Sequence, residues 1–265
     1  YYFTKLYKKD GGREYPKAVF WLANLQKING DYLESYKTWK RVKTIYRQGN
    51  SYENIKAIQE IKASAYARRE EKYSNEAIVT NLGSGINTGA SEISPISFEN
   101  KLMFASLRAK NMGENGEVYD ELYSFKLYEA AYTDSSWQLN KELPMVINSP
   151  QYQAANGCFN TISTLFYFTR CNSANDCDLF VSNYNKGKWG DPKKLSISDP
   201  NFNETHPMSC EIEGEEYLFF VSDKKGGFGG MDIWYTKRNR EGEFESPTNA
   251  GEIINSPDNE ITPFY

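Results

Sequence analysis

The pattern that most limits what this chain can fold into is a repeat running through its last two thirds. Four stretches lie in one register. The first has "INTGASEISPISF" from Ile86, "KLMFASLR" from Lys101, "ELYSF" from Glu121 and then Trp137. The second has "INSPQYQAANGCF" from Ile147, "TLFYFTR" from Thr164, "DLFVS" from Asp178 and "KWGDP" from Lys188. The third has "NETHPMSC" from Asn203, "YLFFVSD" from Tyr217, "DIWYT" from Asp232 and "EFESP" from Glu243. A fourth opens with "INSPDNEITPFY" from Ile254. The anchor positions Pro95, Asn156, Pro207 and Pro263 are 61, 51 and 56 residues apart. Each unit carries about four short aromatic and β-branched runs, which read as strands. A unit of this size cannot bury both its faces alone, so neighbours must stack.

The period and strand number predict a β-propeller of four-stranded antiparallel blades over residues 76–265. Blades are expected at about 82–143, 144–195 and 196–250, with the start of another over 251–265. Three blades and a start leave an array that is expected to be incomplete. The chain begins "YYFTKLYKK" without Met, so its true N-terminus is expected to lie upstream.

Residues 1–75 read differently. Over Ala18 to Gln48, Val19, Leu22 and Leu25 recur at helical spacing, as do Leu33, Tyr36 and Trp39, with "NGDY" as the break between two helices. A further helix is expected from about Tyr52 to Lys72, with Ile55, Ile58, Ile61 and Ala65 on one face. Leu22-Ala23, "GDY", Ser35 and Trp39 resemble a tetratricopeptide repeat, over one and a half repeats. The expected fold class is thus α+β multidomain, with tetratricopeptide-like helical hairpins followed by an all-β propeller.

"INSPDNEITPF" and "YLFFVSDKKGGFGGMDIWYT" resemble the WD-type propeller repeats of the TolB family. Together with the helical repeats before them, they resemble PorE-like periplasmic lipoproteins of Bacteroidetes-type bacteria, members of the type IX secretion system with an OmpA-like domain. The resemblance covers most of residues 18–265 and implies a non-enzymatic scaffold in the periplasm, associated with the outer membrane. Its implied partners are other proteins of that complex, with peptidoglycan reached only through a domain this chain lacks. Neither a cofactor nor a metal is implied. The alternative class is a propeller enzyme, a hydrolase or lyase, or a carbohydrate-binding module acting on envelope glycans.

Charge is divided unevenly. Residues 1–75 hold 16 Lys+Arg against 8 Asp+Glu, while the rest hold 15 against 27. No binding motif accompanies the basic part, which argues against nucleic acid. On a helix Lys40, Lys43 and Arg47 share a face, so they are candidates for docking an acidic partner. No apolar run approaches the roughly 18 residues of a membrane span, and no signal peptide is visible.

The four cysteines form no C-x-x-C pair, and His206 is the only histidine, which does not suit a zinc site. Disulfides in an oxidising compartment fit better. Cys171 and Cys177 flank a hairpin turn and are expected to be joined. Cys158 and Cys210 fall within one residue of the same register in successive units and are expected to form a second pair.

Other residues read as structural. The glycines of "SDKKGGFGGMDIWYT" precede a strand rather than a helix, so they suit a tight turn and not a phosphate loop. Asp178 and Asp232, with Glu121 or Asp120 in the first unit, open equivalent strands and are expected to bond the preceding turn. Glu92, Glu204 and Glu260 each precede the repeat's proline by three residues and are expected to make a repeated bond between blades. Trp137, Trp189 and Phe244 share one register and are expected to anchor blade packing. No activated nucleophile is apparent, so no catalytic residue is assigned.

Overall fold

The computed structural model describes residues 1–47, 49–73, 77–108 and 124–265. The chain divides into two compact units, Tyr1–Val79 and Thr80–Tyr265.

The first unit contains helices α1 (Tyr2–Asp10), α2 (Pro16–Ile28), α3 (Tyr32–Ile45) and α4 (Tyr52–Glu70), and then a single 3-10 turn, Glu71–Tyr73. Pro16 lies in the first turn of α2, where its missing N–H costs nothing. Ser51 caps α4 by accepting a bond from the Asn54 N–H at 3.3 Å. Val19, Phe20 and Ala23 of α2 pack with Trp39 and Val42 of α3 and Ala57 of α4. Small residues let the helices approach closely: the Ser35 hydroxyl donates to the Ala23 carbonyl at 2.9 Å and lies 3.3 Å from the Ser64 hydroxyl.

The helices depart from expectation in three places. The sequence reading assigns no separate helix to α1, although Phe3, Leu6 and Tyr7 recur at helical spacing and Tyr7 packs against the core. The buried face of α4 is Ala57, Glu60 and Ser64, not the isoleucine stripe; Ile55 and Ile58 are each 36% exposed. Close packing selects the small side chains, and Glu60 is buried because Lys27 and Lys56 reach it at 2.6 and 3.0 Å. Arg47 lies beyond the end of α3, so it does not share a helical face with Lys40 and Lys43. The Lys40 ammonium instead stands 4.3 Å above the Tyr36 ring.

The second unit contains three antiparallel sheets. Sheet one is β1 (Glu92–Phe98), β2 (Lys101–Ser106), β3 (Lys126–Thr133) and β4 (Ser136–Glu142), in that order. Sheet two is β5 (Gln153–Phe159), β6 (Leu165–Cys171), β7 (Cys177–Asn185) and β8 (Lys188–Trp189), with β9 (Lys193–Lys194) also on β7. Sheet three is β10 (Glu204–Ile212), β11 (Glu215–Ser222), β12 (Asp232–Lys237) and β13 (Thr248–Asn249). The third strand of sheet one starts at Lys126, opposite Ser106. Lys126 therefore stands in the register of Asp178 and Asp232. Asp120 and Glu121, expected there, lie outside the described residues.

Alternation along the strands turns one set of side chains each way. Met103, Ala105 and Leu127 of sheet one meet Phe166 and Phe168 of sheet two around Ile147. Tyr167, Leu179 and Cys158 of sheet two meet Leu218, Phe220 and Trp234 of sheet three around Ile197. Leu102, Phe104 and Tyr128 pack with Ile86 on the other face of sheet one. Trp137 packs against the Ile86 cluster, Trp189 against the Ile147 cluster and Phe244 against the Ile197 cluster.

Polar side chains lock each sheet to the segment that follows it. The Asn148 amide accepts from the Leu127 N–H at 2.9 Å and donates to the Leu127 carbonyl at 2.8 Å. Asn255 does the same to Ile233, at 2.8 and 2.9 Å. Ser198 accepts from the Leu179 N–H at 3.2 Å. Each side chain thereby satisfies a strand N–H, while the matching carbonyl also takes a backbone N–H from Leu143, Ala250 or Leu195.

The glycine-rich stretch closes a turn around Asp232. Its carboxylate accepts from the N–H groups of Phe228 and Gly229 at 2.5 and 3.0 Å. Gly229 also runs against the next lead-in segment, where an added Cβ would collide with the Asp258 carbonyl oxygen. Cys171 and Cys177 are directly paired across β6 and β7 and joined as a disulfide. Cys158 and Cys210 are not a second pair: both are buried free thiols. Cys158 sulfur instead accepts from the Ser209 N–H at 3.2 Å.

Candidate functional site

The first strand of every sheet bends at one register position. Pairing shifts between Ile93 and Ile96, between Ala155 and Cys158, and between Thr205 and Met208. Within each shift one residue is left-handed: Ser94 at φ 52°, Asn156 at 50° and His206 at 50°. Thr262, two residues after Glu260, repeats it at 55°. These are β-bulges, which re-aim side chains and turn a strand. The structural register aligns Asn156 with Ser94 and His206; Gly157 is the counterpart of Pro95 and Pro207. The Ser94 hydroxyl donates to the Asn156 side-chain oxygen, which ties the first bulge to the second. His206 is half-buried, and burial pulls its pKa down. Its Nδ1 lies 2.9 Å from the Thr205 hydroxyl, and its backbone N–H donates to the Thr169 hydroxyl at 3.2 Å.

The carboxylates two residues before the bulges behave unequally. Glu92 is held by the Thr88 N–H at 3.1 Å, the Thr88 hydroxyl at 2.7 Å and the Ser106 hydroxyl at 2.9 Å, with Arg108 at 3.4 Å. Burial pushes its pKa up, but these donors outweigh burial and the net direction is down. Glu260 accepts from the Ser256 N–H at 2.9 Å and from the Ser256 hydroxyl. These bonds run to the turn that leads into the glutamate's own strand, which corrects the expected bond between blades. The second unit carries Ala154 in this register and has no carboxylate there.

Glu204 differs. It is 1% exposed, and its Oε1 accepts from the Asp199 N–H at 3.3 Å. Its Oε2 has no partner among the described residues. Burial is the main cause that pushes its pKa up to about 7, and the negative charges of Asp178 and Asp199 add to it. Asp199 shifts the opposite way: the Asn201 backbone and side-chain N–H groups hold its carboxylate below the usual range. A proton-holding carboxyl and a carboxylate anion therefore stand side by side.

Asp199 lines an open cleft of about 400 Å³ on the same unit. It is lined by Ser198, Asp199, Pro200, Lys224, Phe244 and Ser246 among others. Sequence reasoning places Glu204 in the repeat but does not single it out. The signal lies in the segment before it, where Asp199 replaces the Thr88 and Ser256 of the other units. Among the described residues no group of three or more His, Cys, Asp or Glu is placed to hold a metal. A second cavity of about 550 Å³ lies on the helical unit, lined by Arg41, Thr44, Ile45, Tyr46, Arg47 and Ser51. Arg47 lines it, whereas Lys40 and Lys43 do not.

No family model and no curated protein matches this chain. Solved structures do. A thermostable family-43 glycoside hydrolase is similar at 12% identity, covering 64% of this chain and 56% of its own, with a TM-score of 0.43. A GH43 β-xylosidase/α-arabinofuranosidase from a compost microbial metagenome is similar at 9% identity, covering 67% and 65%, with a TM-score of 0.41. An endo-arabinase from Bacteroides thetaiotaomicron is similar at 11% identity, covering 60% and 61%, with a TM-score of 0.40. The chain thus spans less than two thirds of the length of each.

These findings correct the PorE-like resemblance, which neither a family model nor a curated protein supports. The solved structures found are enzymes, not scaffolds of a secretion system. The expectation of a non-enzymatic type IX scaffold is overturned with it. Among the described residues no helix is long and apolar enough to cross a membrane.

Proposed function

We propose that residues 80–265 are three blades, and the lead-in to a fourth, of a β-propeller that hydrolyses glycosidic bonds. The helical hairpins before them are proposed to be tetratricopeptide-like. The observation that carries the functional reading is the pair Asp199 and Glu204. Cleaving an acetal needs a proton donor for the leaving oxygen and a carboxylate for the nucleophile, water or the developing cation. Two carboxyl groups whose surroundings push their pKa values apart supply these roles. Glu204, raised to about 7, is the acid, and Asp199, lowered, is the anion at the cleft wall. Phe244 offers a face to a sugar ring, and the hydroxyls of Ser198 and Ser246 offer hydrogen bonds.

Glu204 is sealed behind the Asp199 backbone, so substrate must displace the 199–203 turn to reach it. Groups that move a proton often align only once substrate is bound. The test is reducing-end release from arabinan, xylan and peptidoglycan glycan strands by the purified chain. The reading predicts release from at least one glycan, and a loss of at least about a hundredfold in Glu204→Gln. Equal release by the variant would remove Glu204 from the reaction, and no release from any glycan would remove the reading. Of the docking candidates, Lys40 and Lys43 share a face of α3 and remain a separate proposal for the helical unit, tested by salt-dependent binding to an acidic partner.

A further inference from the structure

Glu92 and Glu260, each two residues before a bulge, take the same partners from their lead-in turns, and the third unit departs from that pattern. In the first unit the lead-in residue Thr88 gives Glu92 both its N–H and its hydroxyl. In the last, Ser256 gives Glu260 both. In the third, counting from Ile197 as from Ile86 and Ile254, the residue at that place is Asp199, in a turn one residue longer. Its N–H still reaches Glu204, at 3.3 Å. Where the hydroxyl should be there is a carboxylate, which has no proton to give. Two other partners are missing as well. Ser222, opposite Glu204 as Ser106 is opposite Glu92, gives Glu204 no bond among the described residues, whereas Ser106 donates to Glu92 at 2.9 Å. Arg108, which reaches Glu92 from beyond β2, has Lys224 as its counterpart in position. The result is one carboxyl oxygen, buried and without a partner among the described residues.

We propose that this exchange of a hydroxyl for the Asp199 carboxylate turns Glu204 from a structural anion into a proton-holding group, and that losing the proton loosens the turn at residues 199–203 and the adjoining cleft wall. Such loosening would regulate the site proposed above, and its measurement does not depend on that site being an enzyme's. The groups facing Glu204 set the direction. Asp199 faces it from the lead-in turn and Asp178 from β7. Asp178 is itself engaged by Lys194 of β9 at 2.7 Å. Lys224, on the β11–β12 connection, is the cation that opposes them. Ionising Glu204 would put a third negative charge, itself buried, beside Asp178 and Asp199, with Lys224 opposing it and Lys194 already paired with Asp178. Repulsion of this kind is relieved by keeping the proton or by moving the turn. The turn has a hold on both hairpins beside it: Asn203 accepts from the Cys177 N–H at 2.9 Å and donates its own N–H to Asp223 at 2.7 Å. Loosening it therefore reaches sheets two and three together.

The experiment is a pH titration of the intact chain labelled with 13C at the glutamate carboxyl carbons, the Glu204 signal being assigned by its absence in Glu204→Gln. The expected wild-type midpoint is about 7. In Asp199→Thr, which restores the first unit's donor, the midpoint should fall by roughly two pH units or more, towards the ordinary glutamate range. A wild-type Glu204 signal that titrates with ordinary glutamates overturns the proposal, as does an unchanged midpoint in Asp199→Thr. Should Asp199→Thr not fold, the pH dependence of the unfolding midpoint in Glu204→Gln decides. That dependence should flatten between about pH 5 and 7, and a profile identical to wild type overturns the proposal. A shifted midpoint in a chain that releases no sugar would sink the hydrolase reading and leave this inference standing.

Discussion

Glu92 and Glu204 occupy one register position and shift in opposite directions, which makes hydrogen-bond donors, not burial alone, the deciding factor. Both are buried or nearly so; Glu92 has four donors and Glu204 has one. For Glu204 the sign of the linkage is clear. A carboxyl raised from 4.5 to about 7 binds its proton more tightly when folded. Its contribution to stability is fully present below about pH 4.5 and is lost as pH rises through about 7, a change on the order of 3 kcal/mol. Glu204→Gln should therefore gain stability relative to wild type at pH 8, measured by chemical denaturation. Asn148 carries a different kind of weight. It is 3% exposed and satisfies both the N–H and the carbonyl of Leu127. Asn148→Ala should cost about 1–3 kcal/mol, because it leaves the buried Leu127 N–H unpaired while the Leu127 carbonyl keeps the Leu143 N–H at 2.9 Å. Neither Glu204 nor Asn148 stands out in the sequence, since a buried partner set is a fact of three dimensions. What is readable there is the repeat that makes the departure at Asp199 visible.

The strands are legible in the sequence and the joints between them less so. "YLFFVS" and "LFYFT" fall in β11 and β6 because aromatic and β-branched residues at period two have little other use. The third strand of sheet one starts later than "ELYSF" suggests, since several aromatics precede the paired run that begins at Lys126. The face of α4 is hard to read because bulk is a poor sign of burial where close helix packing chooses Ala57 and Ser64. The free Cys158 and Cys210 show the limit of register arguments across sheets: similar positions in successive units need not face each other. Two predictions belong to the joints. Removing the Cys171–Cys177 bond by Cys→Ser changes should lower stability by about 2 kcal/mol, as suits a short closed loop, in thermal melts without reductant. Gly229→Ala forces its Cβ against the backbone of the following lead-in segment. Amide exchange over residues 254–260 should then speed up, while β6 stays as protected as in wild type.

Across the sheet unit, each sheet shows the next the same kind of face, and sheet three's is uncovered among the described residues. Met103 and Tyr167 are each 1% exposed beneath the following sheet, whereas Phe219, in the same register, is half-buried. Ile147 and Ile197 are 0% and 9% exposed, while Ile254 is 53% exposed. A face of this kind is adhesive. Phe219→Lys with Ile254→Asp should reduce binding of a hydrophobic dye and concentration-dependent scattering; unchanged scattering would show that the face is not the adhesive one. Function rests on the chemistry at Asp199 and Glu204, and the pH profile of glycan hydrolysis tests it most directly. The value of kcat/KM should be flat across mildly acidic pH and fall as Glu204 loses its proton near 7. Glu204→Gln should abolish activity, not merely move that limb. A profile still rising above pH 8, or one whose alkaline limb survives in Glu204→Gln, would contradict the assignment of Glu204 as the acid.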